Sequence, residues 1–201
     1  MKNIKILFVV SLLTVLATVN AQSVVNKEWS GLRLSYDSYA MDRNDGSDLL
    51  LDAVPAYELG YVKSFSVSKK HPLFIETGAN FIMTHGDLRK GYTLDLYSFT
   101  IPINLGYKVF SSENISFFPY VGFVWKTHLW GEISDDYNDL NIDLLDNEMG
   151  DGINRCQAAW QIGVTMNIKR FNLGVSYADD FMDYDDFIET TTLRFTAGFN
   201  F

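Results

Sequence analysis

Five charged side chains stand in segments that otherwise alternate between apolar and small polar residues: Arg33, Glu58, Glu76, Lys126 and Arg194. Such a set can neutralise itself by ion pairing in a dry interior, or line a wet channel as separate hydrated charges. Histidine chemistry is sparse. His71 and His85 fall in connections between apolar segments, and His128 lies near the end of one. A histidine beside a serine or an acid can act as a general base, but no spacing from His128 to either is diagnostic of a triad. Carboxylates crowd three connections: Asp42, Asp45, Asp48 and Asp52 in the first, eight acids from Glu132 to Asp151, and six from Asp179 to Glu189. Oxygen-rich loops are where calcium binds. The stretch "DRNDGSD" (42–48) nevertheless lacks the one-three-five spacing before glycine, so a solvated acidic surface is the expectation, with no metal and no cofactor.

The elements that must position the five charges are strands. Period-two alternation recurs along the chain and no helical periodicity follows the first 21 residues. Alternation predicts eight strands: Gly31–Asp37, Val54–Ser68, Leu73–Thr84, Tyr92–Phe110, Ile115–Leu129, Cys156–Ile168, Arg170–Tyr177 and Thr191–Phe201. Their connections are long at 38–53, 130–155 and 178–190, intermediate at 85–91, and tight at 69–72, 111–114 and 169. Long and tight connections thus fall at opposite ends of an up-and-down meander, which is the pattern of an all-β, eight-stranded antiparallel transmembrane β-barrel of the outer-membrane type.

Sorting by parity separates two faces. One carries Leu32 and Leu34, Leu59 and Tyr61, Ile101, Ile103 and Leu105, Val121 and Phe123, and Leu173 and Val175. The other carries all five charges together with Ser35, Gly60, Asn80, Asn104, Gly106, Tyr120, Gly163, Thr165 and Asn172. Repeated glycines on the polar face fit a crowded, narrow lumen rather than a solvated exterior, where Lys, Glu and Thr would serve. On the apolar face, Tyr36, Tyr57, Trp125, Trp160 and Tyr177 lie toward the long connections, and Phe65, Tyr107, Phe117, Phe171 and Phe201 toward the tight ones. Two such girdles mark the two interfaces of a lipid layer.

At the N-terminus Lys2 and Lys5 precede apolar runs over 6–10 and 12–17, and Val19-Asn20-Ala21 places small residues where a signal peptidase cuts. Residues 1–21 read as a signal peptide and 22–201 as one barrel domain. Loss of Lys2 and Lys5 takes the formal charge from −9 to −11, which argues against nucleic acid as a partner. Cys156 is the only cysteine, so there is no internal disulfide.

The stretches "SFTIPINLGYKVF" (98–110), "ISFFPYVGFVW" (115–125), "WQIGVTMNIKRFNLGVSY" (160–177) and "GFNF" (198–201) resemble the PorT-like outer-membrane β-barrel family. The resemblance implies a location in the bacterial outer membrane, with lipid as solvent and the barrel-assembly machinery as a partner during biogenesis. The last strand is also similar to the signal that machinery reads, with Phe199 and Phe201 at its apolar positions and Arg194 at its polar one, while Thr196 stands where that pattern has Gly.

The functional expectation is a non-catalytic barrel with a side-chain-filled interior and acidic loops outside, in a structural or surface-interaction role. Apolar residues among the loop acids, such as Phe181, Tyr184, Phe187, Leu144 and Leu145, fit a cap of packed loops or a surface for a protein or glycan. A narrow pore and a rim-located enzyme are the alternatives.

Overall fold

The structure, a computed structural model, describes residues 28–43, 53–89, 91–112, 114–135, 140–145, 155–181 and 188–201. The segment 1–21 expected to be a signal peptide and most of the acidic loop residues lie outside them. Among the described residues there are ten strands: β1 (Ser30–Arg43), β2 (Val54–Ser66), β3 (Leu73–Arg89), β4 (Tyr92–Tyr107), β5 (Phe110–Ser111), β6 (Ile115–Asp135), β7 (Leu140–Asp143), β8 (Cys156–Ile168), β9 (Phe171–Asp180) and β10 (Ile188–Asn200). Eight of them close a ring in the order β1, β2, β3, β4, β6, β8, β9, β10, with every pairing antiparallel. The short β5 and β7 pair with opposite ends of β6. Closure is made by β10 against β1, from Gly31↔Asn200 to Arg43↔Ile188, and leaves the eight-stranded ring without a free edge.

Alternation sets which side faces out. Leu34, Leu59, Ile103 and Phe195 are each more than half exposed on the outer wall, whereas Ser35, Glu58, Asn104 and Thr100, at the alternate strand positions, are buried inside. A water-soluble barrel would invert this arrangement, and only lipid makes such an exterior favourable. The lumen is filled to contact. A Cβ on Gly163 would lie 2.6 Å from the Tyr120 hydroxyl, and one on Gly106 would overlap the Phe118 ring.

Strands run further at the long-connection end than their alternation predicts. β1 continues past Asp37, β3 past Thr84, β6 past Leu129 and β9 past Tyr177. The connection expected at 85–91 is therefore mostly strand, turning at Gly91 with φ 83°. The reason is a change of solvent along one strand. In this extension the inward residues are Val54, Leu88, Leu94 and Leu96, which form an apolar cluster with Tyr92, Ile133 and Leu144 against it, while His85 and Asp87 face outward. Polar-out, apolar-in is the arrangement suited to water, so the two faces exchange polarity where the strands leave lipid, while the in-and-out alternation of β3 and β4 runs on unchanged. In β6 the extra residue Leu129 is a bulge, because Tyr97 pairs with Trp130 and Ser98 with His128.

Candidate functional site: the ion-paired lumen

The charged residues occupy successive levels of the interior. Nearest the tight turns, Arg33 on β1 lies 3.9 Å from Glu76 on β3, and its Nη2 donates to Asn200 Oδ1 at 2.8 Å. Glu76 also accepts a hydrogen bond from the indole Nε1 of Trp29 at 2.9 Å.

One level up, Arg194 on β10 is clamped. Its Nε and Nη2 donate to the two oxygens of Asp37 at 2.8 Å each. The same Nη2 lies 2.8 Å from Glu58 Oε2 without hydrogen-bond alignment. That contact is an ion pair only. Glu58 Oε1 is held by Ser35 Oγ at 3.4 Å, and Ser35 meets Thr196 at 3.0 Å. Asp37 stands directly across from Arg194 in the β1–β10 register, which is what makes the two-point contact available.

Higher still, Lys126 on β6 is not in contact with this group. Its Nζ lies 3.1 Å from Asp180 at the end of β9 and 5.3 Å from the ring centre of Tyr39. At the same end Ser98 Oγ is 2.7 Å from His128 Nδ1, and His128 Nε2 is 3.0 Å from Gln157 Oε1, all three side chains being buried.

Two acids that complete these pairs are not among the five charges named from the sequence. Asp37 falls at the last position of its predicted strand, where parity does place it inward. Asp180 falls in a segment read as loop, and the extension of β9 brings it into the lumen. A third missed element is aromatic. Trp29, Phe74 and Phe118 meet across the tight-turn end, with ring centres 5.0 Å apart for Trp29–Phe74 and 5.2 Å for Trp29–Phe118. The signal available was parity, since Phe74 and Phe118 share the polar face with Glu76 and Tyr120. Between these levels, around Arg33, Glu58, Glu76, Tyr120 and Arg194, the remaining space is about 50 Å3, enough for a few water molecules.

Of the ten aromatic residues named as girdles, Tyr36, Tyr57, Trp125, Phe65, Phe117, Phe171 and Phe201 are exposed on the outer wall, and Trp160, Tyr177 and Tyr107 are half-buried. Tyr36 packs edge-on against Tyr57 at 5.8 Å, and Trp160 lies tilted against Tyr177 at 5.7 Å. Beyond Tyr36 the outer face of β1 continues with Ser38 and Ala40, so the apolar band stops at Tyr36 although the strand does not. Tyr97 and Trp130, 5.4 Å apart, add a further exposed aromatic pair that the bulge at Leu129 brings about. At the other end Phe201 lies 6.3 Å from Tyr61, and its backbone N–H donates to Ser30 at 2.9 Å. Phe199 packs edge-on against Phe171 at 5.7 Å.

A closed eight-stranded antiparallel barrel with an apolar exterior and a polar interior defines a transmembrane protein of the bacterial outer membrane, solvated on its outer wall by lipid. The sequence matches the outer membrane protein beta-barrel domain over residues 9–201, and the chain belongs to that family. Among solved structures it is similar to Ail, the attachment invasion locus protein of Yersinia pestis, at 13% identity and a TM-score of 0.54, covering 87% of this chain and 99% of Ail. A second structure of Ail, in complex with the heparin analogue sucrose octasulfate, gives 14% identity and a TM-score of 0.53, with the same coverage. Neisserial surface protein A is similar at 5% identity and a TM-score of 0.50, covering 90% of this chain and all of that one. At these identities the likeness is one of fold. No curated protein sequence matches.

Proposed function

We propose that this protein is a non-catalytic outer-membrane barrel, closed to solutes by its own side chains, which presents the long-loop end at the cell surface as an interaction platform. The observation that carries this reading is the Asp37–Arg194–Glu58 cluster, an arginine held at 2.8 Å by each of two carboxylates on neighbouring strands in the middle of the lumen. Carboxylates on both sides neutralise and immobilise the guanidinium, whereas a conducting pore needs mobile, hydrated wall groups. The Arg33–Glu76 level and the Trp29–Phe74–Phe118 cluster obstruct the same path below it. Reconstitution in planar bilayers is expected to give no steady ohmic conductance. Discrete, reproducible channel steps from the purified wild type would overturn the plug and favour the pore.

The Ser98–His128 contact has the geometry of a nucleophile and its base, but both residues are only 2% exposed and the third partner is an amide, Gln157. A buried hydrogen-bond chain accounts for it, and that supports the non-catalytic reading.

The PorT-like resemblance of residues 98–125 and 160–177 is kept as the narrower family reading within the outer-membrane barrels. Tight turns are periplasmic and long loops extracellular in this class, and that orientation is adopted here. Ail was crystallised with a polyanion. The loops here are acidic, so the surface chemistry they offer is that of a site for a basic protein segment, or for divalent cations bridging to anionic glycan.

A further inference from the structure

We propose that the tight-turn mouth of the barrel is a binding site for a phosphate group, seated between Lys108, Lys169 and Arg170. These residues come from two different turns, Lys108 from the chain between β4 and β5, and Lys169 and Arg170 from the β8–β9 turn. All three line one cavity of about 240 Å3. In a chain with nine more acidic than basic residues, this cavity carries three cationic side chains against one side-chain carboxylate, that of Glu28, and the terminal carboxylate of Phe201. Glu28 Oε1 accepts the Ser66 backbone N–H at 3.1 Å, and among the described residues its carboxylate makes no ion pair with any of the three cations.

Lys108 is the residue that points to a ligand. It is 8% exposed, and among the described residues no carboxylate lies within ion-pairing distance of it. Its ammonium sits 4.9 Å from the ring centres of both Trp29 and Phe74, which orient it but leave its charge uncompensated. Burial draws this ammonium below the ordinary lysine range, and an anion beside it would reverse that. Lys169 and Arg170 are exposed at the rim and likewise have no ion-pair partner among the described residues. Neutral donors complete the lining. Ser116 Oγ accepts from Asn167 Nδ2 at 3.4 Å, which leaves its own O–H free to donate. Several cations with a hydroxyl donor suit a group with three or four oxygens and more than one negative charge better than a single carboxylate.

Two sources carry this chemistry: the headgroup of an inner-leaflet anionic phospholipid, or free phosphate in the periplasm. Phe201, at the cavity edge and 65% exposed to the lipid side, favours the headgroup.

The test uses the full mature chain folded in detergent. Native mass spectrometry reads retention of dioleoyl phosphatidylglycerol, and isothermal titration calorimetry reads binding of inorganic phosphate. Wild type is expected to bind at least one of the two, and Lys108→Met to bind it at least about tenfold more weakly. Lys69→Gln, an exposed lysine in the β2–β3 turn, is expected to leave binding unchanged. Should Lys108→Met fail to fold, as read by heat-modifiable mobility, the Lys169→Asn/Arg170→Gln double variant takes its place with the same expected loss. Lipid retention alone identifies the headgroup as the source, and phosphate binding without lipid preference identifies the free ion. Absence of binding in both arms by wild type, or an equal loss in Lys69→Gln, would overturn the proposal.

Discussion

Arg194 and Arg33 are both lumen arginines on adjacent strands, yet their surroundings assign them different weights. Arg194 makes two aligned bonds to Asp37, which is fully buried, and touches Glu58 as well, so its removal strands two carboxylates away from water. Breaking a buried pair from one side costs about 3–5 kcal/mol. Arg33 is 3.9 Å from Glu76, and each has another partner, Asn200 for the arginine and Trp29 for the glutamate. Loss of either leaves the other partly satisfied. A double-mutant cycle on Arg194→Met and Asp37→Asn, read by urea unfolding in lipid vesicles, is expected to give a coupling of about 2–3 kcal/mol, against about 1 kcal/mol for Arg33→Met with Glu76→Gln. The reverse order would mean that hydration, not pairing, governs the lumen.

At the level of elements, β10 serves two purposes with its two faces. Inward, Asn200 ties Arg33 to Asn167, accepting from the first at 2.8 Å and donating to the second at 2.9 Å. Outward, Phe199 and Phe201 stand in the lipid-facing wall. If the outward positions are what the assembly machinery reads, Phe201→Ser should lower the outer-membrane yield in cells while leaving urea stability of the assembled fraction close to wild type. Asn200→Ala should do the opposite, assembling normally and unfolding more readily, by about 1–2 kcal/mol. Equal yields for the two variants would remove the proposed role of Phe201. The extension of β3, β4 and β6 beyond the membrane is held differently, by the Val54–Leu88–Leu94–Leu96 cluster, and is in effect a small water-facing β-structure standing on the barrel. Charging that cluster, as in Leu96→Asp, is expected to loosen the extension and raise protease sensitivity there, with heat-modifiable mobility of the barrel retained.

The whole molecule is a ring, and closure makes its ends inequivalent. The tight-turn end carries Lys69, Lys70, His71, Lys108, Lys169 and Arg170 among its described residues, whereas acids dominate the long connections. Such a molecule has a charge axis along the membrane normal. With the orientation adopted here, protease added to intact cells should cut between β7 and β8 or between β9 and β10, and spare Lys69 and Lys169. Cuts at those two lysines from outside would reverse the orientation. Shifted electrophoretic mobility before boiling would report the closed β1–β10 seam.

The class of fold and the in-or-out assignment of each membrane residue were legible from alternation, because lipid and lumen impose opposite polarity on successive side chains and the period of two is local. Arg33, Glu58, Glu76, Lys126 and Arg194 could be named as inward for that reason. Alternation says nothing about height, however, so it could not tell that Lys126 meets Asp180 and lies apart from the other four, or that Arg194 belongs to Asp37. Those pairings depend on register across the β1–β10 seam and on how far β9 runs past Tyr177, both properties of the closed ring. Strand ends were misjudged where the solvent changes from lipid to water, since the two faces exchange polarity there while the hydrogen-bond ladder continues. The phosphate-sized mouth is the extreme case. Lys108 and Lys169 are some sixty residues apart in the chain, and only the meeting of two turns under Trp29 makes one site of them.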